Sequence, residues 1–239
     1  MIVSAHQPHF LPWIGYINRI FLSDVFVIMD NMEYTRNNYI SRNRIISPNG
    51  VTYISIPIAY KGNSHRLISD VSIDKKRYIH YIKKHIETIR HSYSKKPGFS
   101  NFFPVLESVF LNPANDLLSL NMSLLNTLLS YLNIETKIIL ASSLNIKGKK
   151  ESDLFIELSK KTLCMSVLLG LGASTKYINK EQVSKSKVEL LFQKFKHPEY
   201  IQGERTFTSG VSVIDLIFNV TQKEAEKMIK NAGSFEKKI

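Results

Sequence analysis

Val25-Phe26-Val27-Ile28-Met29 is an unbroken apolar run set between Asp24 and Asp30. A strand with one wet face alternates polar and apolar residues. A run like this one needs cover on both faces, which favours a parallel sheet flanked by helices. Upstream, Ile2 to Ala5 suits a short buried strand, and Trp13 to Leu22 suits a helix whose Trp13, Ile17, Ile20 and Phe21 fall at helical spacing. Strand, loop, helix and strand thus follow one another within thirty residues. In sheets of this kind ligands bind at the carboxyl ends of the strands, so His6, Gln7 and Asp30 are expected along one edge.

The loop between the first strand and the helix, His6-Gln7-Pro8-His9-Phe10-Leu11-Pro12-Trp13, concentrates two imidazoles, an amide and an indole. Its two prolines fix φ and stiffen the loop that presents them. Three chemistries fit this pattern. The His-x-x-His pair could ligate a metal, although a proline between the two and no helical acid beside them weigh against it. The loop could imitate the His-x-Gly-His loop of nucleotidyl-transferring enzymes, with Ser184-Lys-Ser-Lys187 as a later lysine loop. Pro8, however, stands where a glycine would let backbone approach phosphate. Third, His6 could act as a general base toward an amine or hydroxyl attacking an acyl donor, oriented by Asp30 or Gln7.

Further along, Tyr34 to Arg44 is polar, aromatic and basic without a clean period, and reads as a loop or short helix over the site. Tyr34, Arg36, Asn38, Arg42 and Asn43 are candidate substrate contacts there. Arginine offers a planar fork of donors to phosphate, and asparagine both donates and accepts. A turn at Pro48-Asn49-Gly50 and an alternating strand to Pro57 suggest a hairpin. Tyr78, Ile82, His85, Ile86, Ile89 and Tyr93 mark an amphipathic helix over Lys75 to Tyr93, with His85 on its buried stripe. Helices are expected near 99–110, 115–132 and 151–169, and strands at Thr136 to Ala141, Thr175 to Ile178 and Val188 to Phe195. His197-Pro198-Glu199-Tyr200-Ile201-Gln202 is a second compact polar and aromatic turn. A helix over Val211 to Asn219 follows it. Thr221 and Glu224 form a capping-box pair for a last helix that Gly233 closes.

The expectation is one α/β domain over 1–233: a mostly parallel, Rossmann-like sheet flanked by helices, with a helical C-terminal half. It includes a helical lobe within about 75–132 and a frayed tail at 234–239. With 44% hydrophobic and 22% charged residues, and no apolar run near membrane-spanning length, the chain is expected to be cytoplasmic without membrane insertion. The lone Cys164 excludes an intramolecular disulfide and a cysteine-based zinc site. A formal charge of +12 could attract nucleic acid, phosphates or an acidic protein. The Lys and Arg residues are spread along the chain and no nucleic-acid motif accompanies them, so nucleic acid is a weak candidate partner.

The pattern His6-Gln7-Pro8, Leu11-Pro12-Trp13, Gly15-Tyr16, Ser23-Asp24-Val25-Phe26-Val27, Asp30 and Arg42-Asn43 resembles the WbqC-like family of bacterial surface-polysaccharide gene clusters. The likeness continues through His85, Tyr93, Ser142-Ser143, His197-Pro198, Tyr200, Gln202, Phe207 and Ser212 to Asn219. Two departures stand out: Asn31 replaces the usual second acid, and Tyr177 to Val188 is short and lysine-rich. The resemblance implies transfer of glycine or another acyl group to an amino sugar. The expected enzyme is therefore an N-acyl or aminoacyl transferase acting on a nucleotide-linked amino sugar for O-antigen or capsule. His6, Gln7 and Asp30 would be its catalytic residues. His9, Trp13, His85, His197, Tyr200 and Gln202 would join the contacts named above. No cofactor is required beyond an acyl or aminoacyl thioester donor, whose acidic carrier protein the basic faces could dock. Nucleotidyl transfer through His6 and His9, and a non-enzymatic basic nucleic-acid-binding or scaffold protein, are the alternatives. One cleft is expected to gather His6, Asp30, the 34–43 segment and the 197–202 turn.

Overall fold

The computed structural model describes residues 1–59, 66–112, 114–146, 151–170, 178–203 and 206–237. The chain opens with β1 (Ile2–His6), α1 (Ile14–Phe21) and β2 (Val25–Ile28). β1 and β2 pair in parallel, with His6 opposite Ile28. A separate antiparallel hairpin follows, β3 (Arg42–Ser47) and β4 (Gly50–Ser55), so the expected loop at 34–44 becomes a strand from Arg42 onward. Gly50 leaves the Pro48-Asn49 turn into β4 with φ 108°, a conformation costly for any residue with a β-carbon.

Three helices run consecutively through α2 (Lys75–Tyr93), α3 (Phe99–Leu111) and α4 (Leu117–Tyr131). The Asp74 and Asp116 side chains cap the first and last of these by accepting from Arg77 N and Ser119 N. The C-terminal half then alternates: β5 (Lys137–Leu140), α5 (Glu151–Thr162), β6 (Ser166–Leu169), α6 (Lys180–Ser186), β7 (Glu189–Phe195), α7 (Val213–Asn219), α8 (Gln222–Asn231) and β8 (Gly233–Lys237). It thus carries helices as expected, and also four strands of the main sheet.

Two expectations change here, and a third lies almost wholly outside the described residues. The helix expected over 151–169 stops at Thr162, and Ser166–Leu169 is a strand instead. Leu163 breaks the helix in a left-handed conformation, φ 57°, that neither glycine nor proline announces. The tail expected to fray at 234–239 is ordered through Lys237, because β8 finds hydrogen-bonding partners along β7. The strand expected at Thr175 to Ile178 falls, apart from Ile178, outside the described residues, as does Gly172.

The main sheet has the order β5-β2-β1-β6-β7-β8, parallel except for β8. Counted along these six strands the order is 3-2-1-4-5-6, the doubly wound arrangement, in which the direction of strand addition reverses between β1 and β6. Side chains alternate across β2. Phe26 and Ile28 join a core with α1, α7, α8 and the α2–α4 helices, while Val25 and Val27 join another with α5, Val167 and Leu190. Both faces of the Val25–Ile28 run are therefore covered. Among the described residues no helix is long and apolar enough to cross a membrane.

Candidate functional site

The loop after β1 is held from outside. Leu11 is fully buried with φ 44°, a left-handed conformation that a branched side chain rarely adopts. Asn43 fixes it there. Its Nδ2 donates to the carbonyls of Phe10 at 3.3 Å and Leu11 at 2.6 Å, while Phe10 N donates to the Tyr39 carbonyl at 2.8 Å. Asn43, expected to contact substrate, is thus a wholly buried clamp on the loop. Trp13 and Gly15 belong together for a steric reason: a β-carbon on Gly15 would lie 2.2 Å from the Trp13 indole, which meets Phe195 edge-on at 5.1 Å.

At the carboxyl ends of β1, β2 and β6 lies a cavity of about 350 Å³. Among the described residues its polar lining consists of His6, Gln7 and Arg19. Met29 and Met32 follow β2, Val167 and Leu169 come from β6, and Leu154, Phe155 and Leu158 from α5. The cavity therefore occupies the gap beside β1 where strand order reverses, the position at which doubly wound sheets take their ligands.

His6 Nδ1 lies 3.1 Å from the Gln7 carbonyl, which can only accept. The proton therefore sits on Nδ1 and Nε2 keeps a lone pair. Burial, reinforced by the positive charge of Arg19, lowers the His6 pKa to about 4, so the imidazole is neutral near pH 7. Tyr16 OH donates to the same Gln7 carbonyl at 3.2 Å. No protein hydrogen bond holds the Gln7 side-chain amide among the described residues.

Arg19 is the residue that sequence reasoning missed. It projects from the last turn of α1, is only 9% exposed, and its Nε has no hydrogen-bond partner. Among the described residues no carboxylate pairs with it, and burial lowers its pKa to about 10. A buried cation without a counter-charge is expensive. The signal was present, since Asn18 and Arg19 interrupt a helix whose residues from Ile14 to Ile20 are all buried.

The other candidates separate into groups. His9 is 7% exposed, stacked against Tyr16 at 4.8 Å and Tyr39 at 5.5 Å, and burial holds it neutral. Asp30 gives both carboxylate oxygens to Ser142, at 2.9 Å from its N and 2.6 Å from its Oγ, so it caps that turn and does not orient His6. Tyr34 OH meets Ser41 Oγ at 2.8 Å, and Asn38 Nδ2 donates to Thr35 at 2.9 Å. Arg42 covers the Tyr53 ring at 4.8 Å, Arg36 is exposed, and Arg44 donates to the Gly210 carbonyl at 3.0 Å. None of these residues lines the cavity. His85 ties α2 to β4, its Nε2 lying 2.9 Å from the Ser55 carbonyl.

The 197–202 turn forms a site of its own. Tyr93 OH at 2.5 Å, Tyr200 OH at 2.8 Å and Gln202 Nε2 at 2.9 Å all donate to the fully buried Asp215 carboxylate. Burial nonetheless raises the Asp215 pKa. His197 accepts from Gly210 N at Nε2 and bonds the Pro198 carbonyl through Nδ1, and with Tyr200 it borders a groove of about 980 Å³ against α8. The single cleft expected to gather four segments is therefore corrected. Asp215 satisfies Tyr200 and Gln202, and Gly210 and Pro198 satisfy His197, which removes their need for His6. Among the described residues no three His, Cys, Asp or Glu side chains gather as metal ligands.

Comparison with known proteins agrees with the sequence pattern. The model of the WbqC-like protein family matches residues 7–227. An uncharacterized protein of Mycobacterium tuberculosis, Rv1507c, is 30% identical over 223 residues, covering 91% of this chain and 93% of that one. No solved structure matches the chain. With the match running from the cavity loop into α8, this chain belongs to the WbqC-like protein family.

Proposed function

We propose that the protein is an acyltransferase that moves an acyl group from a thioester to the amine of a nucleotide-linked amino sugar. The observation that carries this reading is the pairing of a neutral His6 with an unpaired, buried Arg19 in one largely apolar cavity. Acyl transfer needs both. The neutral amine attacks the thioester carbonyl carbon, the carbonyl oxygen gains negative charge at the Arg19 guanidinium, and His6 Nε2 takes a proton from the nitrogen. As the C–S bond breaks, the imidazolium returns that proton to the departing sulfur. A cation fixed in place before the charge develops stabilises the transition state without reorganisation. An oxyanion at Arg19 also favours the imidazolium, so a weakly basic His6 strengthens when its proton acceptance is required.

The acceptor class rests on the family resemblance, and the Lys-rich outer face of α2 supports an acidic carrier for the donor. Nucleotidyl transfer fits less well. His9 is stacked between two tyrosines, and Ser184 to Lys187 ends a helix in which Lys185 pairs with Glu181 at 2.6 Å. The test is mass spectrometry of a nucleotide-linked 4-amino-sugar incubated with acyl thioesters and pure protein. The sugar should gain the acyl mass, and Arg19→Gln should lower kcat by roughly 10²–10³. Folded protein that acylates no amino sugar from any donor would overturn the proposal.

A further inference from the structure

We infer that the cavity beside β1 is a binding site for a short aliphatic acyl group, its carbonyl or carboxylate oxygen on Arg19 and its hydrocarbon body against Leu154, Phe155 and Leu158 of α5. This deepens the transferase reading by naming the class of group transferred, although the binding itself requires no transfer.

Three features of the lining decide the class. First, among the described residues the cavity lining holds one cation and no acid, so it balances one negative charge; a phosphate dianion would leave a charge uncompensated among apolar side chains. Second, an aminoacyl group such as glycyl would bring an ammonium beside Arg19, with no carboxylate among the described lining residues to receive it. Third, a sugar ring needs several hydrogen-bond partners, and among the described residues only His6 and Gln7 offer side-chain polar atoms beyond Arg19. An alkyl chain asks only for displaced water and dispersion contacts, which the leucines and Phe155 supply. At about 350 Å³ the cavity stands near the lower end for small-molecule sites, which limits the chain to a short one.

The donor's chain is thus sorted by α5, while the amine acceptor need only reach His6. The arrangement also explains why Arg19 finds no counter-ion among the described residues: its partner arrives with the ligand.

The test is calorimetry and thermal shift on the full chain with sodium butyrate, hexanoate and octanoate, against hexylammonium, glycine and inorganic phosphate. Hexanoate should bind saturably and raise Tm; hexylammonium and glycine should not. Arg19→Met should weaken hexanoate by about tenfold or more. Leu158→Phe should cut octanoate affinity while sparing butyrate. The comparison of hexanoate with hexylammonium needs no variant, so it stands even if Arg19→Met fails to fold. Absence of saturable hexanoate binding, equal binding of hexylammonium, or binding indifferent to both substitutions would overturn the inference. Hexanoate bound as expected with no acylation of any amino sugar would sink the transferase reading and leave the site. Glycyl transfer without hexanoate binding would do the reverse.

Discussion

A β-carbon built on Gly170, just past β6, would lie 2.9 Å from Arg19 Nη1. The absence of a side chain at Gly170 is therefore what lets the guanidinium from α1 reach across to the end of β6. Because the clash falls on the tip of a flexible side chain, Gly170→Ala should fold with little change in Tm. It should nevertheless move the guanidinium and weaken hexanoate severalfold, as read by calorimetry. Wild-type affinity in this variant would mean that Arg19 does not hold the ligand where the cavity places it.

His6 makes the fold sensitive to acid. Above pH 6.5 its imidazole is neutral whether the chain is folded or not. Below that, the unfolded chain binds a proton that the folded chain, with a His6 pKa of about 4, does not, so stability falls as pH drops from 6.5 toward 4. Integrated to pH 5 the loss is about 2 kcal/mol. His9, also lowered by burial and lying 4.7 Å from His6, adds in the same direction. Urea unfolding at pH 7 and pH 5 should show a smaller difference for His6→Gln than for the wild type. Equal differences would mean that His6 titrates normally.

Asp215 supports three donors, one from α2 and two from the 197–202 turn, and removing it strands all of them. Asp215→Ala should cost about 3–5 kcal/mol in chemical denaturation, and Tyr200→Phe about 1 kcal/mol. Burial raises the Asp215 carboxyl, so its linkage runs opposite to that of His6: its contribution declines as pH rises through the folded pKa. Hexanoate affinity should be unchanged in folded Tyr200→Phe, because no residue of the 197–202 turn lines the cavity. A loss of affinity there would reunite the two sites.

The start of the chain was legible because its apolar patterns are local. β1, α1 and β2 follow from periodicity, and α2 matches its expected span from Lys75 to Tyr93. β6 was hidden because Leu154, Leu158, Val167 and Leu168 continue a helical spacing across a break made by Leu163. β8 depends on a partner strand that no local pattern reveals. In the site, His6 and Gln7 could be placed from their position after a buried strand. Asp30, Asn43 and the 197–202 turn could not, because short polar side chains look alike whether they meet a ligand, a backbone carbonyl or one another.

The place of β1 between β2 and β6 also bears on synthesis. A ribosome releases His6 and Gln7 early, yet the strand that walls their cavity, ending at Leu169, follows on the order of ten seconds later at ordinary elongation rates. During that interval β1 can pair with β2 while its other edge stays open to whatever the cell offers. The cavity cannot be enclosed until Gly170 has emerged, so the nascent chain passes through a stage with its histidines in place and its pocket unbuilt.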